Sequence, residues 1–195
     1  DVDVTTEEPD VESLRKTSPT DDAYGQRVVI GGGSSWLGGS YGGVANVGSF
    51  DDDVDLPCYV FPAGLNNGAP KATAEAASHE AGHTLGLLHD GTVAHDGIGA
   101  NSYYVGHGSW APIMGVGYYK PVSHWSKGDY PWADNQEDDL AVMQTFGVAL
   151  RADAHGNSSA AGTVLSGHSA SLSSVIESRT DTDWFTFTTG GGNIY

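Results

Sequence analysis

Residues 79 to 90, HEAGHTLGLLHD, hold three of the eight histidines in this chain of 195 residues. His79 and His83 are four residues apart, so on a helix both imidazoles lie on one face, about 5–6 Å apart at Cβ. This arrangement suits two nitrogen ligands of one zinc ion. Gly86 can adopt a positive φ and end the helix, which leaves His89 free to turn back toward the other two. The spacing therefore predicts a metal site with all three histidines as ligands.

Glu80 is the residue of this stretch that we expect to do chemistry without binding the metal. It lies beside His79 on the helix but points to a neighbouring part of the surface, within reach of a metal-bound water. Three neutral imidazoles leave one coordination position open, which is typical of catalytic zinc sites, whereas structural zinc sites are closed. Two alternatives remain open: a helical histidine pair that arose by chance, and a degenerate site that binds metal without catalysis.

The whole run resembles the long zinc signature of the metzincin metallopeptidases. Asp90, after the third histidine, resembles the adamalysin/reprolysin branch and its gametolysin-like secreted bacterial relatives. The segment APIMGVGYY resembles the Met-turn of the family, in which Met114 would lie beneath the zinc ion. Some branches carry a zinc-reaching tyrosine two residues after that methionine, but this chain has Val116 there, so no tyrosine ligand is expected. The resemblance covers residues 1–148.

This resemblance implies an α/β (α+β) fold. It comprises a catalytic domain with a twisted mixed sheet, an active-site helix that ends at Gly86, and an irregular lower subdomain with a C-terminal helix. In the family, the edge strand of the sheet lines the cleft and pairs with the substrate. Residues 42–50, GGVANVGSF, are the candidate here, with an ordinary edge strand as the alternative. The residues expected to pair with substrate are Gly43, Val44, Ala45, Asn46 and Val47. The N-terminal strand and long helix of the family are expected to be missing.

Hydrophobic patterning and turn residues predict the remaining elements. Strands are predicted at 2–6, 27–30 and 58–61, and helices at 7–16, 71–85 and 135–146. Asn135 is predicted to cap the last of these helices. Residues 149–195 predict a linker and an incomplete β-sandwich, which resembles the start of a prepeptidase C-terminal domain. We therefore expect two domains, 1–148 and 149–195, with no zinc ligand in the second.

Composition excludes several classes of partner. The net charge of −17 argues against nucleic acid, because phosphate binding requires a basic surface. No apolar run approaches the 18 residues of a membrane helix, and the single cysteine, Cys58, excludes an internal disulfide.

The run DDDVD at 51–55 lacks the spacing of a known calcium loop, so a solvated turn is favoured over a Ca²⁺ site. The other histidines lack ligand spacing and are expected to be structural or exposed: His95, His107, His124, His155 and His168.

These observations together predict a zinc-dependent endopeptidase that hydrolyses peptide bonds by a metal-activated water, with Glu80 as general base. Its partner would be a protein or peptide substrate, and we expect a monomer that holds one catalytic Zn²⁺. The family resemblance implies a secreted or extracellular protein. One alternative is a zinc-binding module without turnover. Another is an adhesion or carbohydrate-binding protein whose function lies in the tail. The presence of Glu80 favours the peptidase.

Overall fold

The computed structural model describes residues 2–167, 169–188 and 190–191. Contacts divide the chain into two compact units, Val2–Val148 and the residues from 149 onward. His168 and the last residues of the predicted tail, 192–195, lie outside the described residues. Across the described part of the chain, no helix is both long and apolar enough to cross a membrane.

The first unit contains a small mixed sheet. Its strands are β1 (Val28–Ile30), β2 (Gly43–Val44) and β3 (Cys58–Val60), in the order β1-β3-β2. β1 runs parallel to β3 and β2 runs antiparallel to it. On the central strand, buried residues alternate with the half-buried Tyr59, as expected for a strand with one face on the core. β2 is therefore an edge strand, and among the described residues no strand pairs with its outer side.

Helix α1 (Pro70–Thr84) packs on one face of this sheet. The helix begins with a proline, which has no N–H group. This costs no hydrogen bond, because N–H groups in the first turn have no partner within the helix. The buried core between helix and sheet consists of Val60, Leu65, Ala72 and Ala76. The small alanine side chains let the helix backbone lie close to the sheet.

The second half of this unit is mostly irregular. It contains a parallel pair, β4 (Trp110–Pro112) and β5 (Val122–His124), and helix α2 (Asp139–Thr145). Short 3₁₀ helices lie at Val11–Leu14, Ser35–Leu37 and Pro62–Gly64. A second buried cluster joins the end of α1 to α2 and consists of Leu85, Leu87, Met114 and Met143. Among the described residues of the other unit, β6 (Thr163–Val164) and β7 (Phe185–Thr186) pair in parallel.

The mixed α/β class, with few helices and small sheets, confirms the coarse α+β prediction. The predicted helix 71–85 is α1, and the predicted strands 27–30 and 58–61 are β1 and β3. The predicted strand 2–6 is wrong: these residues form no strand, and Val4 is 91% exposed, so its alternating valines have no sheet to pack on. The predicted helix 7–16 is reduced to one 3₁₀ turn in which only Leu14 is buried.

Two further predictions need correction. Of residues 42–50, only Gly43–Val44 form a strand, because the N–H groups of Gly48 and Phe50 donate to the carbonyls of His83 and Thr84 and draw the chain to the end of α1. Ala45, Asn46 and Val47 therefore lie outside the strand. The predicted helix 135–146 begins later, at Asp139.

The N-cap of α2 is also different from the one predicted. Asp138 is the cap, and its carboxylate accepts the N–H of Ala141. The predicted cap, Asn135, instead bonds to Glu137 through both its side-chain amide and its side-chain oxygen. This local turn occupies the Asn135 side chain and delays the start of the helix.

Candidate metal centre

Three histidine side chains converge at the end of α1. His79 and His83 belong to the last two turns of the helix, and His89 belongs to the loop that follows. One ring nitrogen from each lies within 4.8 Å of one from each of the others. The Nε2 atoms of His83 and His89 are 3.0 Å apart. The structure therefore brings the three predicted ligands together as a group that could hold a metal ion.

Backbone carbonyls orient the two helical imidazoles. The Nδ1 atom of His79 lies 2.9 Å from the carbonyl oxygen of Ile113, and that of His83 lies 2.8 Å from the carbonyl oxygen of Leu87. A carbonyl can only accept, so each Nδ1 must donate and carry the ring proton. Each Nε2 then keeps its lone pair for a metal, which is the arrangement expected around metal-binding histidines.

The end of α1 is a Schellman motif that creates one of these carbonyl contacts. Gly86 has φ +87°, its N–H donates to His83, and the N–H of Leu87 donates to Gly82. This turn buries Leu87 and aims its carbonyl oxygen back at the ring of His83. It also reverses the chain so that His89 meets the helical pair. Gly86 thus contributes to the site through backbone geometry alone.

The turn that carries Met114 lies directly under the helix. Met114 is fully buried, and a Cβ atom added to Gly82, between the two helical histidines, would lie 2.6 Å from its sulfur. The same turn supplies the Ile113 carbonyl that bonds His79. The Met114 carbonyl accepts the N–H of Asp90, 2.9 Å away, next to the third histidine. This turn therefore connects His79 to the segment that carries His89.

Asp90 is buried behind the site and does not join the three histidines. Its side chain is 1% exposed, and its backbone oxygen accepts the N–H of Tyr104 at 2.6 Å. Burial, followed by the charges of the nearby carboxylates, raises the pKa of Asp90 to about 7. Its position suits a structural role in holding the segment after His89.

Burial keeps the three imidazoles neutral. It lowers the pKa of His79 to about 3, with a smaller contribution from His83. Burial also lowers the pKa values of His83 and His89. A neutral imidazole is the form that binds a metal, so the folded chain presents this donor set ready for an ion. Imidazole nitrogen suits zinc as well as copper, iron and nickel.

Glu80 lies between the helix and the edge strand. Its side chain is 7% exposed and forms no hydrogen bond with any described residue. A Cβ atom added to Gly43 of β2 would lie 2.5 Å from its Oε1 atom, so the carboxyl group packs against the bare backbone of that strand. Burial raises the pKa of Glu80 to about 7.

Two tyrosines near Glu80 were not predicted as site residues. The ring of Tyr103 lies 4.2 Å from that of His89 and 6.1 Å from that of His79, measured between centroids. The charge of Glu80, after burial, raises the pKa values of both Tyr103 and Tyr118. Tyr103 follows an irregular stretch without hydrophobic period, so the sequence carried no signal for this position.

The remaining described histidines lie elsewhere. His95 stacks on Trp132, His107 bonds to Tyr104, His124 bonds to the carbonyl of Trp125, and His155 bonds to Thr163. Each of these contacts gives the histidine a structural partner away from the three-histidine group.

Two groups of acidic residues could attract a cation. In the run 51–55, Asp51 pairs with Lys16 and Asp55 pairs with Arg27. A different group of carboxylates has oxygens within 4.8 Å of one another: Asp153, Asp181 and Asp183, in the second unit. The sequence analysis did not single out that group.

Comparisons of the chain with protein-family models, with curated proteins and with solved structures found no match. Function must therefore be inferred from the chemistry of the site.

Proposed function

We propose that the chain is a zinc-dependent endopeptidase of metzincin type, similar to the adamalysin/reprolysin-like or gametolysin-like branches. The observation that supports this most directly is the position of Glu80. Its carboxyl group is buried beside His79 and packs against the open edge strand. A largely buried carboxyl group that no described residue hydrogen-bonds is unfavourable for folding, and a site that only bound metal would gain nothing from it.

The three histidines, His79, His83 and His89, would hold the zinc ion. When bound there, zinc would supply Lewis acidity, which polarises a peptide carbonyl group and makes a water molecule more acidic. Glu80 accepts a proton from the attacking water and later gives it to the leaving amine. A pKa of about 7 suits both transfers, because a group that titrates near the working pH can take up and release a proton.

The edge strand would bind the substrate backbone. β2 is antiparallel to β3, and its other side has no partner strand among the described residues. An extended peptide can add to such an edge through main-chain hydrogen bonds. Gly43 has no side chain to separate this peptide from Glu80. The substrate-pairing residues are thus narrowed to Gly43 and Val44.

Met114 and Asp90 would support the zinc site, as the corresponding residues do in the metzincin family that the chain resembles. Met114 packs under the helix, and Asp90 ties the loop of His89 to the Met114 turn. An extracellular location is proposed from the resemblance to secreted relatives alone.

Hydrolysis of a denatured protein would test the proposal. Purified protein loaded with zinc should cleave casein or gelatin internally, lose this activity with a chelator, and regain it when zinc is restored. Mapping of the cleaved bonds would establish internal cleavage. Stoichiometric zinc without any cleavage across a broad peptide library would instead favour the binding module without turnover.

A further inference from the structure

The loop after His89 brings an aromatic hydroxyl group to the three histidines. The Tyr103 ring lies 4.2 Å from that of His89 and is tilted by 42° to it. Its distance to the His79 ring is 6.1 Å. The residue is 37% exposed, so the ring packs on His89 and is also partly accessible to solvent.

We infer that Tyr103 is a catalytic residue that donates a hydrogen bond from its phenol to the carbonyl oxygen of the scissile peptide as negative charge develops there. This inference rests on the proposed peptidase function. It assigns to the irregular loop a role in stabilising the transition state.

The hydroxyl group of Tyr103 is near the three histidines and is available as a hydrogen-bond donor. The ring of Tyr103 lies against that of His89 and 6.1 Å from that of His79, so its phenol borders the three-histidine group. Among the residues that the structure describes, none forms a hydrogen bond with this hydroxyl. A partly exposed phenol without a hydrogen-bond partner among the described residues can donate to a substrate.

The main chain around Tyr103 is held firmly. Its own N–H donates to the side chain of Asn101 at 3.1 Å. The N–H of Tyr104 donates to the Asp90 carbonyl, and the Tyr104 carbonyl accepts the N–H of Val116. The loop is thus tied both to the segment of His89 and to the turn of Met114. A donor fixed before the reaction stabilises developing charge without the penalty of reorientation.

Glu80 and Tyr103 have different roles in this mechanism. Glu80 moves the proton of the water, whereas Tyr103 keeps its own proton and contributes only a hydrogen bond. Removal of one such donor typically lowers kcat by about 10²–10³-fold. Since the charge develops only in the transition state, ground-state binding of substrate should change little.

Tyr118 is the other tyrosine near Glu80, and its side chain has a packing role. It packs on the core between α1 and the sheet, and its hydroxyl lies against Gly42. Tyr119 is 73% exposed and has no ring contact with the three histidines, so Tyr119→Phe serves as a matched control for removal of a phenol hydroxyl.

The test compares zinc-loaded wild type, Tyr103→Phe and Tyr119→Phe. Four quantities are measured: zinc content, kcat and KM on a casein-derived peptide that wild type cleaves, and calorimetric affinity for two ligands. One ligand is a phosphinic peptide that mimics the tetrahedral transition state, and the other is the matching product peptide. Tyr103→Phe should keep its zinc and its KM, lose about 10²–10³-fold in kcat, and bind the phosphinic peptide more weakly by a similar factor. Affinity for the product peptide should stay within about twofold, and Tyr119→Phe should match wild type.

The outcomes separate this inference from the proposed function. Wild type that neither cleaves peptides nor binds the phosphinic peptide contradicts the peptidase function, and the role of Tyr103 with it. Active wild type whose kcat and phosphinic-peptide affinity survive Tyr103→Phe contradicts only the role of Tyr103. Because Tyr103→Phe keeps the ring and removes only the hydroxyl, loss of zinc in this variant would show that the hydroxyl supports the metal site and would overturn its role as a donor to the substrate. A phenolate-to-copper absorption band in Cu²⁺-substituted wild type, absent from Tyr103→Phe, would make Tyr103 a ligand and overturn its role as a donor.

Discussion

At the scale of residues, burial prepares the site for its chemistry. It lowers the pKa values of the three histidines and raises that of Glu80, so each group is shifted toward its neutral form. For the histidines this form is the one that binds a metal. For Glu80 the same shift weakens the fold at neutral pH, because an ionised carboxyl group is forced into a buried position.

The raised pKa of Glu80 predicts a pH-dependent stability difference between metal-free wild type and Glu80→Gln. The folded chain holds a proton that the unfolded chain releases between pH 4.5 and about 7. Stability from this group is therefore present below pH 4.5 and is lost as the pH rises through 7. Glutamine mimics the protonated form, so Glu80→Gln should gain roughly 1–2 kcal/mol of stability over wild type between pH 4.5 and 7, after a discount for solvent screening of the partly accessible carboxyl group.

Urea unfolding of both proteins, stripped of metal, would measure this difference at several pH values. A free-energy difference that stays constant over the range would contradict the burial of the Glu80 carboxyl group.

At the scale of elements, α1 and its Schellman end determine the site. The helix was predictable because its alanine-rich run has a high helix propensity and a clear glycine stop. The sequence predicted that an edge strand exists but not how short it is. The N–H groups of Gly48 and Phe50 donate to carbonyls at the end of α1, and these hydrogen bonds compete with strand pairing. The valines at 2 and 4 alternate like a strand, but alternation alone cannot reveal whether a partner strand exists.

Replacement of Gly86 by alanine should weaken both the fold and the metal site. A side chain at φ +87° is unfavourable by about 1–2 kcal/mol, and its Cβ would also overlap the ring of Phe146. Movement of this turn would displace the Leu87 carbonyl from His83. We therefore expect the free energy of unfolding to fall by more than about 1–2 kcal/mol. Zinc affinity should fall about 10–100-fold, as is typical when a metal ligand loses its hydrogen-bond partner.

Gly97 provides the matched control. It has φ +78°, but a Cβ there would meet no atom within 4 Å. Gly97→Ala should show the backbone penalty alone and normal zinc affinity, measured by denaturant unfolding and by competition with a chromogenic chelator. Equal zinc affinity in the two variants would mean that the turn at Gly86 does not position His83.

At the scale of the whole molecule, all three candidate metal ligands lie in one of two units. The sequence predicted a boundary near 148 from a change of composition, and the contacts within the chain divide it between 148 and 149. Both buried clusters of the first unit, including the packing around Met114, consist of residues before 149. What the sequence could not predict is the course of the irregular loops, such as the one that carries Tyr103, because no periodic pattern specifies them.

A chain that ends at Val148 should therefore fold and keep its zinc. Both of its hydrophobic clusters remain complete, so helical circular dichroism and zinc content should equal those of the full chain. Unfolded protein, or protein that no longer retains zinc, would show that residues after 148 are required for the catalytic unit.

The central claim, that Glu80 is the base of a zinc peptidase, is tested most directly by zinc content and peptide hydrolysis in Glu80→Gln and His83→Ala. Glutamine matches glutamate in shape and is no ligand, so Glu80→Gln should hold stoichiometric zinc while its activity falls by about 10⁴-fold, the upper end for acid–base groups. His83→Ala removes a ligand, so zinc and activity should fall together. Activity in Glu80→Gln above about a tenth of wild type, far above what loss of a general base leaves, would contradict the account.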